Sequence, residues 1–157
     1  MSISGGEIFA NKYKVVPGQA SVEDILVDAT NYPASGSYID VSGCERFHVL
    51  VRFGAINGGT TATIEIRQAD SITGTMDVID ATYCKQTVAN DADDTMYLFT
   101  VETDKLALNH HFVCLQVEGT IAGNNYAEIL FFLPLTSEPV TQNRTLCPAA
   151  HELVYVG

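Results

Sequence analysis

The chain has 157 residues, and 8 Lys and Arg residues against 19 Asp and Glu residues give it a formal net charge of −11. This acidic charge disfavours direct binding to nucleic acid, because it repels the phosphate backbone. The longest apolar run, Ile129–Leu133, is far shorter than the ~18 residues of a membrane-spanning helix, so no membrane partner is expected. The first residues do not resemble a secretory signal, and the length suits one domain.

The first quarter of the chain is predicted to contain short extended segments. Residues 1–19 are predicted to form an N-terminal arm, with an edge strand as the alternative. Val22–Ala29 and Ser37–Val41 are predicted strands, because β-formers in both segments are followed by turn-forming residues. The turn between these two strands is predicted at Asn31–Pro33.

The clearest strand is Arg46–Phe53, in which apolar residues alternate with a period of two. The residues predicted to face the core are Phe47, Val49, Val51 and Phe53. After a turn at Asn57–Gly59, alternation returns in Thr61–Arg67. The inward residues of this second strand are predicted to be Ala62, Ile64 and Ile66. The two strands are therefore predicted to pair as an antiparallel hairpin.

The second half of the chain continues in the same pattern. Further strands are predicted at Thr75–Ile79, Thr82–Val88, Met96–Val101, Phe112–Glu118 and Tyr126–Leu133. The sequence therefore predicts an all-β fold, a single antiparallel β-sandwich of about eight strands over residues 20–134. Residues 135–157 are rich in turn formers and polar residues before apolar residues return, and they are predicted to form an extended C-terminal arm.

The last predicted strand is apolar on both faces, and Met96–Phe99 repeats the feature. Such a strand needs cover on both sides. Either the chain's own loops and tails or a neighbouring subunit would supply it. Leu130 and Phe132 are the candidates for an oligomer seam.

The two predicted arms also contain a few large apolar side chains. Arms of this kind lie across a neighbouring subunit or hold down their own sheet. The candidate contact residues are Ile8, Phe9, Tyr13, Leu153, Val154 and Tyr155.

The cysteines are spaced too widely for a zinc clip, which uses close pairs, so no metal site is predicted. They are predicted to be buried thiols, with a disulfide such as Cys44 with Cys114 left open. Asp91, Asp93 and Asp94 resemble part of a calcium loop, but the loop's Gly and closing Glu are missing. A solvated acidic turn is the prediction, and a weak calcium site is the alternative.

No nucleophile elbow, phosphate-binding loop, dinucleotide fingerprint or zinc-protease motif occurs in the chain, and no cofactor is predicted. A pair of acids for glycoside hydrolysis could be drawn from Glu65, Glu102, Glu118 and Glu128. Any acidic sandwich offers such a pair, so the protein is predicted not to be an enzyme. The chain has no Trp, which weakens carbohydrate binding, although seven Tyr residues keep a carbohydrate-binding module as an alternative.

The run Gly36–Phe47, followed by the strand Thr63–Asp70 and the turn at Gly74, resembles the small structural proteins of tailed-phage heads. More specifically, it is similar to capsid decoration, or cement, proteins, and the pattern extends over roughly residues 20–135. The resemblance implies a jelly-roll sandwich that forms a homotrimer on the outer capsid surface. It further implies contact with the major capsid protein, assembly in the host cytoplasm and a location on the virion. A tail or baseplate adhesion protein is a further alternative.

On this resemblance the protein stabilises the shell without chemistry. The arm residues Ile8, Phe9, Tyr13, Leu153, Val154 and Tyr155 are the candidates for capsid contact, and Leu130 and Phe132 are the candidates for the trimer seam.

Overall fold

A computed structural model describes residues 13–19, 27–89 and 92–134, together with the backbone of residues 23 and 24. These residues form eleven strands and two three-residue 3-10 turns, Thr82–Cys84 and Thr103–Lys105. The strands are β1 (Tyr13–Pro17), β2 (Glu23–Asp24), β3 (Thr30–Tyr32), β4 (Ile39–Asp40), β5 (Arg46–Phe53), β6 (Thr61–Ala69), β7 (Asp77–Val78), β8 (Lys85–Val88), β9 (Met96–Glu102), β10 (Phe112–Thr120) and β11 (Tyr126–Pro134). The predicted all-β class is confirmed.

The strands form two antiparallel sheets that pack against each other as a sandwich. Sheet A has the order β1-β11-β5-β9, with β2 also paired to β11. Sheet B has the order β3-β10-β6-β7, with β4 also paired to β10 and β8 to β6. Short strands that share a neighbour occupy one position, so each sheet has four positions. The total of eight, with strands drawn from both halves of the chain, is typical of a jelly roll.

The predicted hairpin between β5 and β6 is wrong, because the two strands belong to different sheets. β5 pairs with β9 and β11, whereas β6 pairs with β10 and with the short strands β7 and β8. The connection buries Ile56 and Thr60 as it crosses from one sheet to the other. The turn signal at Asn57–Gly59 indicates where the chain bends, but it does not indicate which sheet the next strand enters.

Other predicted segments differ in extent, and the strands predicted at Ser37–Val41 and Thr75–Ile79 shorten to β4 and β7. Within Val22–Ala29 the described strand is only β2, and the predicted turn at Asn31–Pro33 contains most of β3, which ends at a cis peptide bond before Pro33. The pairing of β3 with Leu115–Val117 of β10 overrides the local turn preference. Thr82–Val88 divides into a 3-10 turn, which buries Cys84, and β8.

The core lies between the two sheets and consists of the inward residues of the long strands. The predicted inward residues of β5 and β6 are confirmed, since all are at most 1% exposed. Strands β10 and β11 contribute Val113, Leu115, Val117, Ile129 and Phe131. Burying one such large side chain stabilises the fold by about 1.5–3 kcal/mol.

The described part of the predicted N-terminal arm is an edge strand. β1 pairs with β11 from Tyr13 opposite Pro134 to Pro17 opposite Leu130, and the Gly18 amide donates to the Ile129 carbonyl at 2.9 Å. A Cβ at Gly18 would lie 2.7 Å from Ile129 Cγ2, so this close approach requires glycine. The arm candidates Ile8, Phe9, Leu153, Val154 and Tyr155 lie outside the described residues. Within the described ranges, no helix is long and apolar enough to cross a membrane.

Candidate functional site: the outer face of sheet A

Alternate residues of β1, β11, β5 and β9 point away from the core, and the strand register aligns them in rows. One row consists of Pro17, Leu130, Leu50 and Leu98. The adjacent row consists of Val15, Phe132, His48 and Thr100. Met96 lies next to Leu98 on the same side of β9, opposite Arg52. We use the term outer apolar face for Val15, Pro17, Leu50, Met96, Leu98, Leu130 and Phe132.

The outer apolar face is most exposed at its β9 edge. Leu98 is 65% exposed and Met96 is 62% exposed, while Leu50, Leu130 and Phe132 are half-buried. Single exposed apolar residues are ordinary, but a contiguous patch is typical of a surface that contacts another molecule. The seam candidates Leu130 and Phe132 therefore lie together with the exposed pair on β9.

Sequence reasoning missed Leu50 as part of this surface. The alternation of β5 puts it on the side of Arg46, His48 and Arg52, away from the predicted core. Its cross-strand neighbours Leu98 and Leu130 are apolar, and only the register reveals them. The available signal was a single Leu at an otherwise polar set of positions.

Charged residues lie at both ends of the outer apolar face in pairs of opposite sign. Arg46 is opposite Glu102 at one end, and Arg52 is opposite Glu128 at the other. These four residues sum to a formal charge of zero, in contrast to −11 for the whole chain. Opposite charges directly across a strand pair are mildly stabilising.

His48 is the titratable group nearest the centre of the face. Its Nδ1 lies 2.9 Å from the Thr100 hydroxyl, and the edge of the Tyr13 ring packs against it with ring centroids 5.7 Å apart. Partial burial, with a smaller contribution from Arg46, lowers the pKa of His48 below its usual 6.5. Tyr13, a candidate for capsid contact, thus packs on its own sheet.

The four glutamates considered for hydrolysis do not share a cleft. Glu65 and Glu118 lie on the outer side of sheet B, where Arg67 contacts both, with Nε 2.5 Å from Glu65 and Nη2 3.4 Å from Glu118. Glu102 and Glu128 lie on the outer side of sheet A. The structure therefore divides the four between opposite sides of the sandwich, and Arg67 contacts both carboxylates of the pair on sheet B.

The three described cysteines are free thiols, so the alternative disulfide between Cys44 and Cys114 is not formed. Burial raises the pKa of Cys84 to about 11 and that of Cys114 to about 12. These two thiols therefore stay protonated and unreactive near neutral pH. Cys147 lies outside the described residues.

The acidic turn before β9 has a structural role. One Asp93 carboxylate oxygen accepts a hydrogen bond from the Ile56 amide at 2.6 Å, which fastens this turn to the β5–β6 connection. Asp91 is outside the described residues. In the part of the chain that the structure describes, no three His, Cys, Asp or Glu side chains converge as metal ligands.

Comparisons with known proteins give little further information. No family model matches the chain, and no curated protein matches it. One similar solved structure comes from work titled "Bacillus endospore appendages form a novel family of disulfide-linked pili". It is 16% identical, covers 87% of this chain and 97% of its own, and has a TM-score of 0.39. A likeness this distant carries no argument about what the present chain does.

Proposed function

We propose that the protein is a non-enzymatic structural protein that binds the outer surface of an assembled phage capsid as a homotrimer and stabilises the shell. The observation that carries this proposal is the outer apolar face, a surface suited to contact with another protein. The interior of the sandwich is filled by side chains. The resemblance of residues 20–135 to decoration proteins supplies the identity of the partner, the major capsid protein.

The chemistry of the described residues supports binding more than catalysis. Arg67 contacts the carboxylates of both Glu65 and Glu118, and the buried thiols of Cys84 and Cys114 are protonated near neutral pH. A decoration protein needs no reactive group, because it acts by mass action. A protein that binds only the assembled lattice stabilises it by about 2.7 kcal/mol per site at a concentration 100 times its dissociation constant.

A capsid-binding assay tests the proposal. The purified chain is mixed with expanded shells of the major capsid protein encoded nearest to its own gene, and the shells are sedimented and then melted by calorimetry. We expect co-sedimentation in a saturable ratio and a higher melting temperature of the shell. A chain that stays in the supernatant, or that binds without changing the melting temperature, refutes the proposed function.

A carbohydrate-binding or tail-associated adhesion protein is the second candidate. Exposed aromatic rings favour it, since sugar faces stack on such rings. Tyr83 is 47% exposed and Tyr126 is 50% exposed. A glycan array separates the two candidates: binding that is lost in Tyr126→Ala or Tyr83→Ala, together with no capsid binding, supports the second.

A further inference from the structure

We propose that Asn57 is a site of spontaneous deamidation, a covalent modification that breaks one of the bonds joining two loops at one end of the sandwich. Asn57 begins a tight turn in the connection from β5 to β6, which the Thr60 amide closes by donating to the Asn57 carbonyl at 3.1 Å. The reaction needs no enzyme, and it is independent of the proposed function, which makes no use of this turn.

The reaction takes place between the Asn57 side chain and the next backbone nitrogen. The Gly58 nitrogen attacks Asn57 Cγ, a new N–Cγ bond closes a cyclic imide, and the Cγ–Nδ2 bond breaks. The Gly58 amide proton leaves with Nδ2, so the leaving group is ammonia. Water then opens the imide at either carbonyl, which gives aspartate or, with the backbone rerouted through Cγ, isoaspartate. This chemistry is one reason why asparagine is a thermally labile residue.

The sequence sets Asn57 apart from the other asparagines. It is the only asparagine in the chain that precedes a glycine. A side chain on the following residue hinders attack by that residue's nitrogen, and glycine has no side chain. The other described asparagines precede Tyr, His or another Asn, and they are Asn31, Asn109, Asn124 and Asn125. Asn57 is therefore the asparagine at which the ring closes with the least steric hindrance.

The structure leaves the reacting groups accessible. Asn57 and Gly58 are both exposed, so water reaches the imide once it has formed. The Gly58 amide donates to no acceptor in the described part of the chain. Apart from its chain neighbours, no atom lies within 4 Å of the place where a Cβ on Gly58 would stand. The Gly58 nitrogen can therefore move toward Asn57 Cγ without breaking a hydrogen bond or displacing a neighbour.

Hydrogen bonds of Asn57 fasten the β5–β6 connection to the loop between β10 and β11. Asn57 Nδ2 donates to the Asn124 carbonyl, and the Asn57 backbone amide donates to Asn125 Oδ1 at 2.7 Å. Thr60 Oγ1 joins the same two segments through the backbone of Ala122. The bond to Asn124 must open before the imide can form. Exposed loop bonds open locally much more often than bonds in the core, so this bond slows the reaction without preventing it.

Deamidation removes the bond between the Asn57 side chain and Asn124. A carboxylate oxygen replaces the donor Nδ2, so two acceptors face each other where a hydrogen bond was made. Isoaspartate also inserts one more carbon into the backbone of the turn that Thr60 closes. We therefore expect the modification to loosen the end of the sandwich at which β9 and β11 begin.

The test compares two alanine variants of the β5–β6 connection. Gly58→Ala puts a methyl group beside the attacking nitrogen. Gly54→Ala adds the same group away from Asn57, where the nearest atom beyond the chain neighbours is 3.7 Å distant. Each folded protein and the unmodified chain are incubated at mildly alkaline pH. Peptide mass spectrometry, with fragmentation that distinguishes isoaspartate from aspartate, then measures the conversion of every asparagine.

We expect Asn57 to convert faster than Asn109, which is also exposed, in both the unmodified chain and Gly54→Ala. Gly58→Ala should slow the conversion of Asn57 about tenfold or more, which corresponds to about 1.4 kcal/mol in the barrier. Conversion of Asn57 no faster than that of Asn109, or undiminished conversion in Gly58→Ala, overturns the inference.

Hydrogen exchange tests the effect of the modification on the two loops. Protein carrying the modification is separated from the unmodified chain by its added negative charge. We expect several-fold faster exchange at the backbone amides of Asn57 and Ala122, and Asn57→Asp should shift both rates in the same direction. Equal exchange in the modified and unmodified proteins refutes the role of the Asn57 side chain in joining the loops.

Discussion

The outward surfaces of the two sheets differ in how their apolar residues are covered. On sheet B, Ala69 and Cys114 point outward and are fully buried, because Tyr38 closes over them with Met76 and Phe112 at its sides. On sheet A, Leu98 and Met96 point outward and remain more than half exposed. This chain therefore covers outward apolar residues of sheet B with its own side chains, while the apolar residues at the β9 edge of sheet A stay accessible to a partner.

Polar residues reinforce the same contrast. On the outer side of sheet B, Glu65 contacts Arg67, and the Gln116 amide donates to the Asn31 side-chain oxygen at 3.0 Å. Glu65 is only 7% exposed, and Arg67 is the ion-pair partner of its carboxylate. The outer side of sheet B thus carries polar side chains that contact one another, although Gln116 Oε1 has no hydrogen-bond partner among the described residues. The outer side of sheet A carries apolar side chains flanked by charge pairs.

Among changes on the outer sides of the two sheets, removing the cover from sheet B should produce the largest effect. Tyr38→Ala empties the space above Cys114 and Ala69, and we expect it to lower the free energy of unfolding by about 3 kcal/mol. Denaturant unfolding measures this change, and labelling of native protein with a thiol reagent should become faster at Cys114. An equally stable variant would show that Tyr38 is not the cover that the contrast requires.

Breaking the ion pair on sheet B should have a smaller effect. Arg67→Met leaves the Glu65 carboxylate buried without its partner, and we expect a loss of about 2 kcal/mol in unfolding free energy. The double variant Arg67→Met with Glu65→Met should recover much of that loss, because it removes the stranded charge as well. If the double variant is as unstable as Arg67→Met, desolvation of Glu65 is not the cause.

Changing the exposed residue of sheet A should barely affect the stability of a single chain. Leu98→Ser is expected to change the free energy of unfolding by less than about 0.5 kcal/mol at low protein concentration, since little packing is lost. Leu115→Ser, a change of the same type at a fully buried position, serves as the contrast and should be severely destabilising. A large loss of stability in Leu98→Ser would mean that the chain itself covers this edge.

The smallest expected effect is a pH dependence that involves His48. Because its pKa is lowered in the folded state, the unfolded chain binds its proton more readily. Stability should therefore fall as the pH drops below about 6.5 toward the folded-state pKa, and His48→Gln should flatten this part of the profile. His110 acts in the opposite sense, since the Leu108 carbonyl and Asp77 raise its pKa. A steeper acid loss in His48→Gln would contradict the assignment.

The sequence allowed the sandwich to be predicted because its long strands alternate clearly. β5 combines four large inward residues with polar residues, and its predicted bounds agree with the structure. Strand partners could not be predicted, because each long strand pairs with strands distant in sequence. For the same reason, the outer apolar face was predicted only in part. Leu130 and Phe132 stand out in an apolar run of the sequence, whereas Leu50 belongs to the face only through its neighbours across the sheet.

The position of β11 in sheet A has a consequence for how the protein is made. β11 pairs with β1 on one side and with β5 on the other. A central strand of the sheet is therefore also the last strand of the described chain. During synthesis, β1 and β5 have no neighbour joining them until residue 134 leaves the ribosome. Folding of a topology with such distant contacts is slow, and we expect sheet A to close only once β11 has been synthesised. Until then the edge of β5 that later pairs with β11 is open to aggregation, which favours slow expression at low temperature.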